Sequence, residues 1–106
     1  MVEAAQQIEE FMEGVDHETF QQDRKLRLAI TRLIEIIGEA SNHVREETKL
    51  EFPNVEWRVL YGIRNVLVHE YFGVDDEIIW AVTQRDIPVL RVQLDEMLLQ
   101  LVSPPN

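Results

Sequence analysis

The chain has 106 residues, 45% of them apolar, no cysteine and a formal net charge of −10. That length suits one domain, residues 1–106, with a modest core. The missing cysteines exclude disulfides, thiolate metal sites and a Cys nucleophile. The acidic balance argues against a protein that coats nucleic acid non-specifically, because such binding needs a basic footprint.

No apolar run approaches the roughly 18 residues that would suggest a membrane span. The start, Met1-Val2-Glu3-Ala4-Ala5-Gln6, has neither the basic nor the apolar region of a signal peptide. The expected location is therefore the cytoplasm.

Residues 2–13 read as a short amphipathic helix. Ala4, Ile8, Phe11 and Met12 stand at helical spacing, and Gly14 closes it. Asp16, Thr19 and Asp23 are helix-start residues. Residues 24–48 read as the longest helix. Leu26, Ile30, Leu33, Ile37, Ala40 and Val44 make one stripe, and Ala29, Ile34, Ile36 and Ser41 widen it. A stripe that wide suits a helix touching more than one neighbour. Phe52-Pro53-Asn54 breaks the pattern.

Residues 55–70 read as a third helix, apolar around most of its circumference. Val59, Leu60, Ile63, Val66 and Leu67 make one face; Trp57, Tyr61 and Val68 make another. Only Arg58, Gly62, Asn65 and His69 form a polar stripe. A helix apolar nearly all round is buried nearly all round. Four or five helices of one chain cannot easily do that, so part of this helix is expected to pack on a second subunit. Gly62 would let another backbone approach.

Residues 75–101 read as helix with an interruption. Asp75 can cap the start, and Ile78, Ile79 and Val82 are expected to face inward. Asp86-Ile87-Pro88 reads as a fresh start, with Asp as cap and Pro in the first turn. Leu90, Leu94, Met97, Leu98 and Leu101 carry the last stripe, and Ser103-Pro104-Pro105-Asn106 is a tail. No stretch shows strand alternation. The fold class is all-α, an antiparallel four- or five-helix bundle.

The chemistry concentrates in Arg64-Asn65-Val66-Leu67-Val68-His69-Glu70-Tyr71, followed by Phe72-Gly73-Val74. An arginine can hold a phosphate, and a histidine can move a proton near neutral pH. The plain alternative is structural: Arg64 paired with a carboxylate, His69 hydrogen-bonded, Tyr71 a core ring. Arg64 and His69 are five apart, about 140° round a helix, and cannot easily converge on one phosphate. Asn65 and His69, four apart, can meet. Either the helix ends near His69, aided by Gly73, or the site is assembled from two chains about a two-fold axis.

The segment Arg64-x4-His69-x-Tyr71 resembles the signature of HEPN domains, specifically the HepT-like toxins. Ile36-Ile37-Gly38-Glu39-Ala40, Pro53 with Trp57-Arg58, Arg64 through Gly73, and Ile79-Trp80 with Asp86-Ile87-Pro88 stand in the order found in that family. The likeness runs from about Ile8 to Leu101. One departure is a late start: next to such proteins, the first helix is expected to lack a turn or two at its beginning, which bears on how that helix packs but not on the motif. The resemblance implies a homodimer of helical bundles acting as a metal-independent endoribonuclease, the toxin of a toxin–antitoxin pair. It implies a nucleotidyltransferase antitoxin that silences the toxin by transferring AMP to Tyr71. No cofactor is implied.

Metal-free RNA cleavage can use the neighbouring 2′-OH as nucleophile. It needs a base, an acid and a cation for the phosphate. His69 suits proton transfer, and two copies across a dimer cleft could serve as the pair. Arg64 would stabilise developing charge. Asn65 would orient His69 or a phosphate oxygen. Arg58 and Tyr71 would hold substrate. A second reading is a non-catalytic helical dimer that binds a nucleotidyltransferase partner. A third is a nucleotide-binding module. His17 and His43 have no ligand partners at metal spacing and read as surface residues. Glu35 and Glu39 read as a solvated or partner-facing stripe. Trp57 and Trp80 read as core or interface anchors.

Overall fold

The computed structural model describes the backbone of residues 1–69 and 76–102, and the side chains of 1–63 and 76–101. Seven α-helices are described: α1 (Val2–Met12), α2 (His17–Gln22), α3 (Arg24–Asn42), α4 (Glu46–Glu51), α5 (Trp57–His69), α6 (Asp76–Ala81) and α7 (Ile87–Val102). One π-helical turn, Val82–Asp86, joins the last two. The fold is the expected all-α bundle. None of its described helices is long and apolar enough to cross a membrane.

Helix α3 is the spine. It packs on α1 and on α5 and also meets α2 and α6, while α7 lies against α1. Its wide apolar stripe explains this, for Ile30, Leu33, Ile34 and Ile37 are all buried. Ile8 of α1, Phe20 of α2 and Ile79 of α6 complete the innermost layer.

Local chemistry sets the breaks. Gly14 takes φ +72°, which an L side chain resists, and turns the chain out of α1. The Asp16 carboxylate accepts from the Thr19 backbone N–H at 2.8 Å and starts α2. The Asp23 carboxylate accepts from Leu26 N–H at 2.9 Å and starts α3. Hydrogen bonds from Thr19, first from its backbone, hold the Asp16 carboxyl below its ordinary value of 3.8.

A carboxyl lowered on folding stabilises above the unfolded value, and the gain is lost as pH falls through the folded one. Asp16→Asn keeps a capping oxygen but cannot titrate. Its urea midpoint should differ from the parent at about pH 6, and the difference should shrink below about pH 4. A difference constant down to about pH 2.5 would exclude this linkage.

Several expectations need correction. The helix expected over 24–48 stops at Asn42. The buried Ser41 hydroxyl donates to Gly38 C=O at 2.7 Å, a local bond that competes with the helical pattern. Arg45 then turns extended, with ψ 145°, before α4 begins. In α1 the buried face is Ala4, Ala5, Ile8 and Met12, and Phe11 is exposed. Phe11 lies about 75° from the middle of that face, and the two alanines let α1 sit close to its neighbours. Ile78, Leu98 and Leu101, expected inward, are exposed.

Asp86-Ile87-Pro88 does not begin a new capped helix. The chain stays helical through it, and Ile87 N–H donates to Val82 C=O, five residues back. Pro88 cannot donate to a carbonyl four back, and its ring would crowd that turn of an α-helix. The wider π turn immediately before it relieves both problems. The expected Asp75 cap lies outside the described residues.

The described side chains of α5, residues 57–63, are covered unevenly. Leu60 is buried, but Val59 and Tyr61 are exposed. Among the described residues, nothing lies within 4 Å of where a Gly62 Cβ would stand.

Candidate functional site

Helix α5 carries the motif positions Arg64 to His69, and the loop before it fixes where it starts. Val55 is buried as a plug. The Trp57 indole N–H donates to Phe52 C=O at 3.1 Å. The Gln93 amide of α7 donates to Asn54 C=O at 2.8 Å. These contacts pin the loop from both sides, so α5 leaves it in a defined direction.

Arg64, Asn65 and His69 all fall within α5, which is helical from Trp57 through His69. The backbone thus keeps its register across the interval, and positions 64 and 69 diverge by about 140°. The described part of α5 ends at His69, and the course of the chain from there to Gly73 lies outside the described residues. Tyr71, and Gly73 with it, lie outside the described residues.

Arg58 is exposed and makes no ion pair among the described residues. It borders a cleft of about 640 Å³ between α4 and the first turns of α5, floored by Val55 and Trp57 and flanked by Lys49, Leu50 and Tyr61. A smaller hollow of about 200 Å³ adjoins it, bounded by Glu39, Asn42, His43 and Tyr61. Asn42 and Tyr61 border both. Glu46 and Glu56 also line the larger cleft. Lys49 is held loosely by Glu46 at 3.8 Å. The cleft therefore offers an arginine, an amide and an aromatic face among carboxylates.

On another side of α5 runs an apolar groove of about 630 Å³. Val59, Ile63, Ile78 and Val89 line it, with Arg85 and Asp86 at the edge.

The other singled-out residues are structural. His17 is at the surface, its side chain 42% exposed, and is tied down there: its Nε2 lies 2.8 and 2.9 Å from the Glu77 carboxylate, and its ring meets the Trp80 edge at 5.1 Å. Arg27 pairs with Asp76 at 3.2 Å. Both contacts hold the start of α6, the element that follows the motif. Glu35 pairs with Arg32 at 3.2 Å. Trp57 and Trp80 are half-buried packing residues.

The sequence did not mark Tyr61, Asn42 or His43 as bordering a site. Tyr61 stood within an apolar face. The hollow at His43 exists only because α3 stops at Asn42, where the pattern predicted helix to 48. The one available signal was spacing, since Tyr61 precedes Arg64 and Asn65 by three and four positions.

Residues 1–97 match the family model described as Ribonuclease HepT-like. "Probable ribonuclease HepT" of Thermococcus cleftensis is 37% identical over 92% of this chain and 88% of its own length. "Putative RNase MJ1380" of Methanocaldococcus jannaschii is 35% identical over 90% of this chain and 87% of its own. "Putative RNase TTE0752" of Caldanaerobacter subterraneus subsp. tengcongensis is 39% identical over 84% and 80%. No solved structure matches the chain.

Proposed function

Because the chain belongs to the HepT-like ribonuclease family, we propose that it is a metal-independent endoribonuclease, the toxin of a toxin–antitoxin pair in the cytoplasm. The observation that carries the reading is the family match over residues 1–97, which contains the whole Arg64–Tyr71 motif.

The active unit is a homodimer with two copies of α5 beside one cleft. The regular helix from Trp57 to His69 supports this: positions 64 and 69 of one helix cannot easily converge on the same phosphate, whereas those of two facing helices can. Among the described residues, the exposed Val59 and the space beside Gly62 leave room for the second copy.

In that cleft one His69, neutral, takes the proton of the 2′-OH. The other, charged, protonates the leaving 5′-oxygen. The 2′-oxygen attacks phosphorus as the bond to the 5′-oxygen breaks, leaving a cyclic phosphate. Arg64 stabilises the charge on the non-bridging oxygens. Asn65 orients His69 or a phosphate oxygen. Arg58 and Tyr71 hold the strand. A nucleotidyltransferase antitoxin silences the cleft: the Tyr71 hydroxyl oxygen attacks the α-phosphorus of ATP, pyrophosphate leaves and the phenolic proton passes to solvent, and the AMP now on Tyr71 repels RNA by its charge and bulk.

Purified protein in excess chelator should cleave single-stranded RNA and leave the all-deoxy strand intact. Intact mass after co-expression with the nucleotidyltransferase partner should rise by one AMP, and Tyr71→Phe should abolish the rise. Cleavage that stops when metal is removed would sink the mechanism. AMP on Tyr71→Phe would sink the silencing step.

A further inference from the structure

The cleft beside Arg58 has a composition that phosphate binding does not explain. Glu46 and Glu56 line it, and Glu39 borders the adjoining hollow. Those carboxylates disfavour a run of phosphates and any duplex, which brings two backbones. They do not disfavour an uncharged base. Of the two residues common to both hollows, Asn42 and Tyr61, the aromatic one is Tyr61, 39% exposed. A phenol ring gives a base a flat apolar face, and stacking on aromatic side chains is how unpaired bases are commonly held. Asn42 offers an amide donor and acceptor at the same place. Arg58 supplies a cation for one phosphate, while the other cation lining the cleft, Lys49, is shared with Glu46 at 3.8 Å.

Register links this cleft to the reaction. Tyr61 lies one helical turn before Arg64 and Asn65, about 4.5 and 6 Å along the axis. That is the scale of one nucleotide step, about 3.4 Å in a stacked strand and longer when unstacked. A volume of about 640 Å³ falls in the range of small-molecule pockets, about 300–1,000 Å³.

We propose that the cleft between α4 and α5 is a base subsite for single-stranded RNA: the nucleotide flanking the scissile phosphate stacks on Tyr61, its base edge meets Asn42, and its phosphate meets Arg58. This rests on the ribonuclease reading and deepens it. The substrate is then an unpaired strand, recognised by one splayed base more than by its charge.

The test is fluorescence anisotropy of a labelled all-deoxy single strand with the full chain, together with cleavage kinetics on the matching RNA. Tyr61→Leu should weaken binding about tenfold, the scale of one lost base–aromatic stack. It should raise KM while leaving kcat near the parent value. Tyr61→Phe should bind within about twofold of the parent, since the stack survives. Arg58→Gln should weaken binding of all sequences alike and lower the salt slope by about one. A duplex of the same sequence should bind more weakly than the single strand. Circular dichroism establishes that each variant is folded.

Tyr61→Leu binding like the parent overturns the subsite; if His69-dependent cleavage persists there, the ribonuclease reading still stands. Tyr61-dependent binding by a chain that never cleaves RNA does the reverse. Loss of self-association in Tyr61→Leu, with RNA binding intact, would assign the cleft to a protein partner and overturn the proposal.

Discussion

His69→Ala should lower the RNA cleavage rate by about 10² to 10⁴, the usual scale of a positioned general acid or base. In a shared cleft it removes both proton-transfer groups, so the loss should lie at the upper end. Binding should change little, because the imidazole acts on protons in the transition state and the strand is held elsewhere. The expected pattern is a large fall in kcat with KM nearly unchanged. Position 69 is the last described residue of α5, so a smaller side chain there leaves the helix and its buried Leu60 in place. Sedimentation should show the same self-association as the parent. Cleavage by His69→Ala at the parent rate would eliminate this histidine as base or acid. A monomeric parent that still cleaves would eliminate the two-copy cleft.

The parts legible in the sequence were those governed by local period and by capping. The stripe of α3, with Ile30, Leu33 and Ile37, and the caps at Asp16 and Asp23 depend on neighbours within a few residues, and the structure has them as expected. Ile78, Leu98, Leu101 and Phe11 were misplaced because periodicity says which residues share a face, not which face finds a partner. Among the described residues, Val59 and Tyr61 of α5 are exposed, where the count of apolar residues round the helix left more than one face to cover. The cleft at Tyr61 was illegible because it depends on the turn at 43–45, where Ser41 bonds Gly38 and ends α3. The His17–Glu77 contact joins residues 60 apart in sequence, which no spacing rule reaches. The π turn could have been suspected from Pro88 inside a continuing apolar stripe, but Asp86 before it also fitted a cap.

Phe20→Ala should cost about 3–5 kcal/mol of unfolding free energy, the range for a truncated core aromatic. Helix α2 has six residues, too few to be stable alone, and Phe20 is its one buried side chain. The ring is fully buried, 5.4 Å from Trp80, and the Phe20 carbonyl accepts from Arg27 at 3.0 Å. Removing it leaves a cavity and frees the helix that holds Glu77 through His17 and Gln21. Exposed polar contacts such as the His17–Glu77 hydrogen bond contribute only about 0.5–1.5 kcal/mol, so they cannot keep α2 docked by themselves. The stability of a small domain totals about 5–15 kcal/mol, and a loss of this size should be obvious in urea titrations. Leu50→Ala, at a side chain 77% exposed, should change stability by less than about 0.5 kcal/mol. The start of α6 should also lose amide protection in Phe20→Ala ahead of α3 and α7, because its anchors sit on α2 and on Arg27. Hydrogen exchange in which α6 opens no earlier than α3 would show that α6 is held from elsewhere. A Phe20→Ala cost below about 1 kcal/mol would show that this ring is not what docks α2.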